Sequence, residues 1–381
     1  MRLEGERVYN RRTGSVLAAL CIMLLGSLLS SCGSAPAGAA KVRATKIPTT
    51  PTATPIPFAR PEFQTGVVFP RWGTDVYGAT DTDFSHGVAE VKRQTGAQWL
   101  QIVVTVYQDY VTSTDVHAGS GTPTPEAVAA GILTAKEAGF RVFVVPHLLV
   151  TYGNVPDAWG GFVTFRDPAL QRAWFDGYWK ALEPYAKAAA KTGAEEFSLG
   201  NEYIGLEYSS DALWNTLIAR ARAVYPGTIT YNTNWSSLDG FARQLPGWLK
   251  NPALAYIGVS CYQSLVDAPK ALSVAQIQQV WRQQFLPRLD ALSNATHKPV
   301  LISEIGYRNA TDALYQPWVH TTGAPADPKL QAAAYEGAVR SALGDHHIQG
   351  IFFYAWENGP FAPNDLPAAQ ALHAIYLSPD A

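Results

Sequence analysis

The most constraining feature of this 381-residue sequence is an alternation of short apolar runs with longer segments of helical period. The alternation occurs eight times from residue 64 onward, without any repeat of the sequence itself. Strands that alternate with helices pair in parallel through crossover helices, so the pattern predicts an α/β fold. The predicted strands are 66–70, 99–106, 140–146, 195–201, 228–233, 255–261, 299–304 and 349–355. The predicted helices are 84–95, 124–138, 168–191, 211–224, 238–249, 273–293, 328–343 and 366–376.

Eight such units in roughly 320 residues match a (β/α)8 TIM barrel that forms a single domain. The predicted strands are short and apolar on both faces, as parallel strands covered by helices are. A doubly wound open sheet is the alternative. It is disfavoured because the first strand is followed by the sequence PRWGTD rather than by a glycine-rich phosphate-binding turn.

The N-terminal segment has the features of an export signal. Four arginines precede an apolar run at residues 15–29, which is too short for a comfortable membrane span. The run ends in the tetrapeptide LSSC, and this ending resembles the signal of a bacterial lipoprotein, whose cysteine is lipidated. The resemblance implies a signal peptide at residues 1–32 with lipidation at Cys32. An ordinary signal peptide that is cut nearby, or an uncleaved anchor, remains the alternative.

Residues 33–60 are rich in Pro, Thr and Ala and poor in large apolar residues. Such a segment buries too little surface to offset its ordering entropy, so it is predicted to be an extended linker. The barrel domain is then expected to occupy residues 61–381. Together with a lipid anchor at Cys32, this order places the barrel at the bacterial cell surface, outside the cytoplasm and attached to the membrane through the N-terminus alone.

Composition excludes several other classes of protein. Hydrophobic residues make up 47% and charged residues 16% of the chain. These fractions indicate a large buried core rather than disorder. A net charge of −2 gives no basic face for nucleic acid. Of the three cysteines, Cys21 and Cys32 lie in the predicted signal and Cys261 lies in an apolar run, so neither a disulfide framework nor a cysteine metal site is expected. A monomer is predicted.

Two predicted strands end on a glutamate. Glu202 ends the fourth strand in LGNEY, and Glu304 ends the seventh in SEIGY. The carboxyl ends of all strands lie on one rim of a barrel, so the two carboxylates are expected to meet across its mouth. Each glutamate alone could instead be a helix cap or a member of a salt bridge.

Metal binding is one reason to place two carboxylates together. Ca²⁺ and Mg²⁺ need further oxygen ligands, and no third acidic residue ends a strand. Zinc is disfavoured because no second histidine accompanies His147. We therefore predict no metal and no cofactor. Glycoside hydrolysis with retention is the other reason, since it needs a nucleophile and a proton donor roughly 5–5.5 Å apart.

Asn201-Glu202 and Glu304, at these strand ends, resemble the signature of the clan A retaining glycoside hydrolases. The context is most similar to glycoside hydrolase family 113, a family of endo-β-1,4-mannanases, and the resemblance covers residues 65–376. It implies that Glu202 is the acid/base and Glu304 the nucleophile. It also implies that Asn201 bonds the sugar 2-OH, that Tyr262 donates to the nucleophile, and that Trp356 forms the floor of the subsite for the reacting sugar.

Four further residues that end strands or begin the following loops are candidates for binding substrate: His147, Trp72, Asn232 and Trp235. The loops at 107–123, 148–166 and 305–327 are rich in aromatic rings, which suits an open polysaccharide groove. We therefore expect a retaining glycosidase that acts on a β-linked polysaccharide, with β-1,4-mannan as the first candidate. A clan A β-glucanase or β-galactanase, or a non-catalytic carbohydrate-binding lipoprotein, remains the alternative.

Overall fold

A computed structural model describes residues 62–152, 158–357 and 359–377. The predicted signal peptide with Cys32, and the predicted linker at 33–60, lie outside these residues. No helix within the described ranges has the length and apolar character needed to cross a membrane.

Eight parallel strands close into a barrel in chain order, and pairing of the first strand with the eighth completes the ring. The predicted (β/α)8 fold is confirmed. The strands are β1 (Gln64–Phe69), β2 (Trp99–Gln108), β3 (Arg141–Val150), β4 (Glu196–Asn201), β5 (Thr228–Asn234), β6 (Ile257–Ser260), β7 (Val300–Ile305) and β8 (Ile348–Tyr354).

The helices surround this ring. They are α1 (Thr82–Thr95), α2 (Pro125–Glu137), α3 (Pro168–Thr192), α4 (Asp211–Val224), α5 (Leu238–Arg243), α6 (Val274–Val280), α7 (Leu286–Thr296), α8 (Pro328–Leu343) and α9 (Pro367–Tyr376).

Local sequence accounts for several helix ends. The carboxylate of Asp167 accepts from the backbone N–H of Ala169, and that of Asp327 accepts from Leu330. Each aspartate therefore caps the helix that begins with the next proline. Gly193 ends α3 in the left-handed region at φ 69°. Glycine is favoured there because it has no Cβ, and such caps set the points at which the chain turns back towards the next strand.

Two predicted helices are divided in the structure. The segment predicted as helix 238–249 is α5 followed by a 3-10 turn at Gly247–Lys250, because Pro246 has no N–H with which to continue the helix. The segment predicted as helix 273–293 is α6, a π-helical turn at Trp281–Phe285, and α7. Pro287 lies in the first turn of α7, where it cannot bond the carbonyl four residues earlier. Strand β6 is also shorter than predicted, while β3 extends four residues further.

The barrel interior changes character along its axis. Towards the amino ends of the strands it is plugged by aromatic rings, with Phe352 packed edge-on against Trp99 and Phe143. Towards the carboxyl ends the inward residues are polar and buried, among them Thr105, Asn232, Ser260 and Ser303. One end of the barrel is therefore closed by apolar packing, and the other presents polar groups at its mouth.

Candidate active site

Glu202 follows the last residue of β4 at the polar end of the barrel. Its backbone has φ 63°, in the left-handed region. That region costs a residue other than glycine about 1–2 kcal/mol. The N–H of Glu202 donates to the carbonyl of Asn232 at 2.8 Å. The side-chain amide of Asn234 donates to Glu202 Oε1 at 3.0 Å. Strand β5 thus fixes both the backbone and the carboxylate of Glu202.

Glu304 lies within β7 and is buried. The hydroxyl of Tyr262 donates to Glu304 Oε1 at 2.7 Å. The register between β6 and β7 shifts so that Ser260 lies opposite Glu304, and the N–H of Cys261 donates to the Glu304 carbonyl at 2.7 Å. Strand β6 and the residues that follow it therefore hold Glu304 as β5 holds Glu202.

The two carboxylates are close enough to titrate as a pair. Loss of water raises the pKa of both Glu202 and Glu304 above the ordinary value of a glutamate. The charge of Glu202 raises the pKa of Glu304 further, while the hydroxyl of Tyr262 acts in the opposite direction. Because two neighbouring carboxylates resist ionising together, the pair gives up its second proton at a higher pH than a lone glutamate would.

His147 lies beside this pair as a neutral ring. Loss of water lowers the pKa of His147 to about 4, so the imidazole carries no charge near neutrality. The amide of Asn201 donates to His147 Nε2 at 3.3 Å. Because Nε2 accepts, the ring proton is on Nδ1. The same Nε2 lies 3.7 Å from Glu304 Oε2. The contact between His147 and Glu304 is consequently not an ion pair.

The structure thus brings together Glu202, Glu304, Asn201, Tyr262 and His147 from the set predicted from the sequence. Trp235 directly follows Asn234, the residue that bonds Glu202, and is half-buried.

Asn232 and Trp72, two other predicted binding residues, differ from each other in their surroundings. Asn232 is buried at the level of Asn201, and its side chain lies so close to Gly258 that a Cβ there would stand 2.0 Å from Asn232 Oδ1. Trp72 is 48% exposed on the loop after β1, where its ring lies near Gly121. No described hydrogen bond or ring contact joins Trp72 to the carboxylates.

Trp356, predicted as the floor of a subsite, is 1% exposed and packs in the hydrophobic core between barrel and helices. Its ring offers no open face. Tyr354, two residues earlier, lies instead in the interior cluster that contains Tyr262. Strand β8 ends at Tyr354, so the alternation of its side chains does not extend to Trp356, whose N–H donates to the Val68 carbonyl at 2.9 Å.

Sequence reasoning missed a third carboxylate near the site. Glu207 is fully buried and accepts hydrogen bonds from Thr233 Oγ1 at 2.5 Å, Ser237 Oγ at 2.5 Å and the Tyr231 hydroxyl at 3.1 Å. Its charge raises the pKa of Glu202. Glu207 was not predicted because it does not end a strand but lies five residues beyond Glu202. The available signal was a lone charge in the otherwise uncharged stretch YIGLEYSS.

Other polar features of the described residues lie apart from this site. A cavity of about 330 Å³ at the loop after β6 is lined by residues such as Leu265, Asp267 and Gln276 and includes neither carboxylate. Within the described part of the chain, the group with metal-ligand spacing is Asp345, His346 and His347, just before β8 at the opposite end of the barrel. Glu202 and Glu304 belong to no such group.

A pair of neighbouring, buried glutamates at the carboxyl rim of a closed (β/α)8 barrel is the arrangement of the barrel glycosidases. The comparison with family models identifies the particular family. The model of Glycoside Hydrolase Family 113 matches residues 76–376, and this chain belongs to that family. It is a retaining glycoside hydrolase, with oligo- or polysaccharides as its substrates.

Solved structures agree with this assignment at the level of the fold. A GH113 β-1,4-mannanase solved as a complex superposes with a TM-score of 0.70 at 23% identity, covering 83% of this chain and 99% of that one. The GH113 β-mannanase of Alicyclobacillus acidocaldarius gives 0.69 at 22% identity, covering 84% and 98%. A β-D-glucuronidase of Dictyoglomus thermophilum gives 0.57 at 13% identity, covering 84% and 51%. A search of curated proteins found no match.

The carboxylate pair should destabilise the fold in a pH-dependent way. Loss of water and mutual repulsion raise the pKa values of the folded pair above 4.5, the usual value of a glutamate, so stability is lost as pH rises above that value and the pair ionises. Glu304→Gln removes this cost while leaving an oxygen for Tyr262. We expect the variant to gain about 1–3 kcal/mol over the wild type at pH 8 and little at pH 4.5. Urea unfolding at both pH values measures the difference.

Glu336→Gln is the matched control, because Glu336 forms an ion pair with Arg340 on the outer surface of α8. Its effect should be small, within about 1 kcal/mol, at both pH values. A Glu304→Gln variant with the same stability change at pH 4.5 and pH 8 would contradict the electrostatic account.

Proposed function

We propose that this protein hydrolyses β-1,4-mannan by double displacement, with Glu304 as nucleophile and Glu202 as acid/base. The observation that carries the proposal is the pair of neighbouring buried carboxylates at the barrel mouth, each held by its own donor. A nucleophile must be ionised while the acid keeps its proton, and a coupled pair with one proton supplies both states.

The hydrogen bonding of Glu304 fits the role of nucleophile. Glu304 Oε1 accepts from Tyr262, whereas Oε2 has no hydrogen-bond partner of normal geometry among the described side chains. Burial holds the pKa of Tyr262 well above its usual range, so the phenol remains a donor. Tyr262 therefore favours the ionised form of Glu304 and leaves Oε2 for attack.

The first step forms a covalent intermediate. Glu304 Oε2 attacks the anomeric carbon, the bond from that carbon to the leaving oxygen breaks, and Glu202 gives its proton to the leaving oxygen. In the second step Glu202, now ionised, takes a proton from water. The water oxygen bonds the anomeric carbon, and the bond to Glu304 breaks. Two inversions at one carbon give net retention.

The remaining neighbours have supporting roles. Asn201 projects beside Glu304 and is proposed to bond the sugar hydroxyl adjacent to the anomeric carbon. The neutral ring of His147 orients the Asn201 amide. Glu207 favours the protonated form of Glu202.

The choice of mannan is supported by the similar solved structures, which are those of GH113 β-1,4-mannanases. We would test it by incubating the purified protein with β-1,4-mannan, a β-glucan and a β-galactan, and by measuring reducing ends. Release from mannan above all others is expected. Faster release from another glycan would replace mannan as the substrate, and binding of an oligosaccharide without any product would overturn catalysis.

Removal of each carboxylate should have distinguishable effects. Glu304→Ala is expected to lose on the order of 10⁴-fold or more in turnover. Azide should rescue it on an activated aryl glycoside and yield a glycosyl azide of inverted configuration. Glu202→Ala should lose far more on poor leaving groups than on aryl leaving groups, and azide should yield a product of retained configuration. NMR of the azide products assigns the roles, and a retained product from Glu304→Ala would reject ours.

We also propose a location for the enzyme, which rests on the sequence of the N-terminal segment. The LSSC sequence ending at Cys32 supports lipidation there, and the Pro/Thr/Ala-rich segment 33–60 supports a tether between the lipid and the barrel. The enzyme would then act as a monomer at the bacterial surface, within reach of polymers that cannot enter the cell.

Cys32→Ala tests the anchor. In cells fed labelled palmitate, the wild-type chain should carry label and sediment with membranes, and the variant should carry none. Cys21→Ala is the matched control, since Cys21 lies inside the apolar run and should not affect labelling. Equal labelling of wild type and Cys32→Ala would disprove lipidation at this position.

A further inference from the structure

Two tryptophans from different loops meet beside the candidate active site. Trp235 follows β5, and Trp318 lies on the loop between β7 and α8. Their ring centroids are 5.8 Å apart with the planes inclined by 33°. Trp235 also packs against the interior cluster that contains Tyr262, the donor to Glu304. Trp318 is 45% exposed. The pair therefore extends from the barrel mouth to an open aromatic surface.

The loop that carries Trp318 is held from within by one buried guanidinium. Arg308, 1% exposed, donates through Nη1 to the carbonyls of Gln316 at 2.9 Å and Val319 at 2.5 Å. These carbonyls lie on either side of Trp318 in the chain. Through Nη2 the same Arg308 donates to the carbonyl of Tyr315 at 3.2 Å and to Asp312 Oδ1 at 3.1 Å. The backbone at Trp318 is thus fixed by a group that solvent does not reach.

The same loop is also tied to the barrel. The N–H of Gln316 donates to Ser264 Oγ at 3.0 Å, and the N–H of Leu265 donates to the carbonyl of Leu314 at 2.9 Å. Both partners, Ser264 and Leu265, lie just beyond β6. A ring presented by so constrained a backbone loses little conformational freedom when it binds a ligand.

The position of the two tryptophans relative to Glu202 indicates which side of the cleft they line. Asn234 donates to Glu202 Oε1, and Trp235 is the next residue. The carbonyl of Trp235 accepts from Arg288 Nη2 at 3.4 Å, which restrains it from the other side. An acid that protonates the leaving oxygen must lie beside the sugar bonded to that oxygen. Trp235 follows the donor to Glu202 in the chain, and this assigns the aromatic pair to the side of the leaving sugar.

We propose that Trp235 and Trp318 form a binding platform for the pyranose rings of the leaving half of the polysaccharide. The proposal rests on the acid role of Glu202 in the proposed function. Flat aromatic faces match the C–H faces of a β-linked pyranose. Two rings inclined by 33° suit consecutive sugars of a chain that twists. The platform would thereby favour substrates that extend beyond the cleaved bond.

Trp318→Ala tests the platform, because Trp318 is exposed and its loss leaves the core intact. Two substrates distinguish binding on the leaving side of the cleft from binding on the other side. Mannohexaose can occupy the leaving side, while 4-nitrophenyl β-mannobioside places only the phenol there. We expect kcat/KM for mannohexaose to fall about 10-fold, equivalent to about 1.4 kcal/mol, and that for the aryl glycoside to change less than about 2-fold. Trp318→Phe should retain most activity on both.

Transfer to an acceptor gives a second measurement. The intermediate formed from the aryl mannobioside can be attacked by mannobiose instead of water, and mannobiose must bind on the leaving side to do so. Trp318→Ala should lower the ratio of transfer to hydrolysis. Leu133→Ala, at a similarly exposed apolar position on the outer helix α2, should leave that ratio and both rates unchanged.

The possible results are separable. Equal losses on both substrates would place Trp318 elsewhere in the site and overturn the proposal, as would wild-type rates and transfer in the variant. Failure of the proposed function would be seen differently, as a wild-type protein that cleaves neither mannohexaose nor the aryl glycoside.

Discussion

Repulsion between two carboxylates that have been taken out of water is the constraint on which the site depends. Glu202 and Glu304 are held near each other by the closure of the barrel, and the charge of one raises the pKa of the other. An isolated peptide could relieve that repulsion by moving apart. The barrel prevents this, because each glutamate is bonded through its backbone and its side chain, Glu202 to β5 and Glu304 to the residues that follow β6. The proton that the pair retains is the direct result.

The groups around the pair adjust this balance without supplying a full positive charge. Tyr262 and Asn234 donate from neutral side chains, and His147 is neutral because loss of water lowers its pKa. A lysine or arginine here would ionise both carboxylates and leave no acid. Glu207 acts in the other direction, since its buried carboxylate favours the protonated form of Glu202. Among the described residues, no strong positive charge lies beside the pair at the barrel mouth. The acid/base role of the pair depends on this.

Rigidity at the rim comes from buried polar groups in the loops. Glu207 ties the loop after β4 to Thr233 and Ser237, which flank Asn234 and Trp235 in the chain. Arg308 performs the same task for the loop after β7, where its guanidinium binds several carbonyls. Burying such groups costs free energy that hydrogen bonds offset, and the bonds that Glu207 and Arg308 form fix the surrounding backbone. The resulting loops can hold aromatic rings at defined positions.

The sequence by itself determined the barrel and the strand ends that carry Glu202 and Glu304, because apolar periodicity and the caps at Asp167, Asp327 and Gly193 act over a few residues. It did not determine the π-helical turn at Trp281–Phe285, the inward position of Tyr354 rather than Trp356, or the buried environment of Glu207. The positions of Tyr354 and Glu207 depend on strands and turns that are distant in the chain, and Pro287 interrupts its helix without specifying the form of the turn. Pairing of the carboxylates across the mouth was expected from topology, but their shared proton arises only from the joint burial and the neutral donors that the tertiary structure assembles.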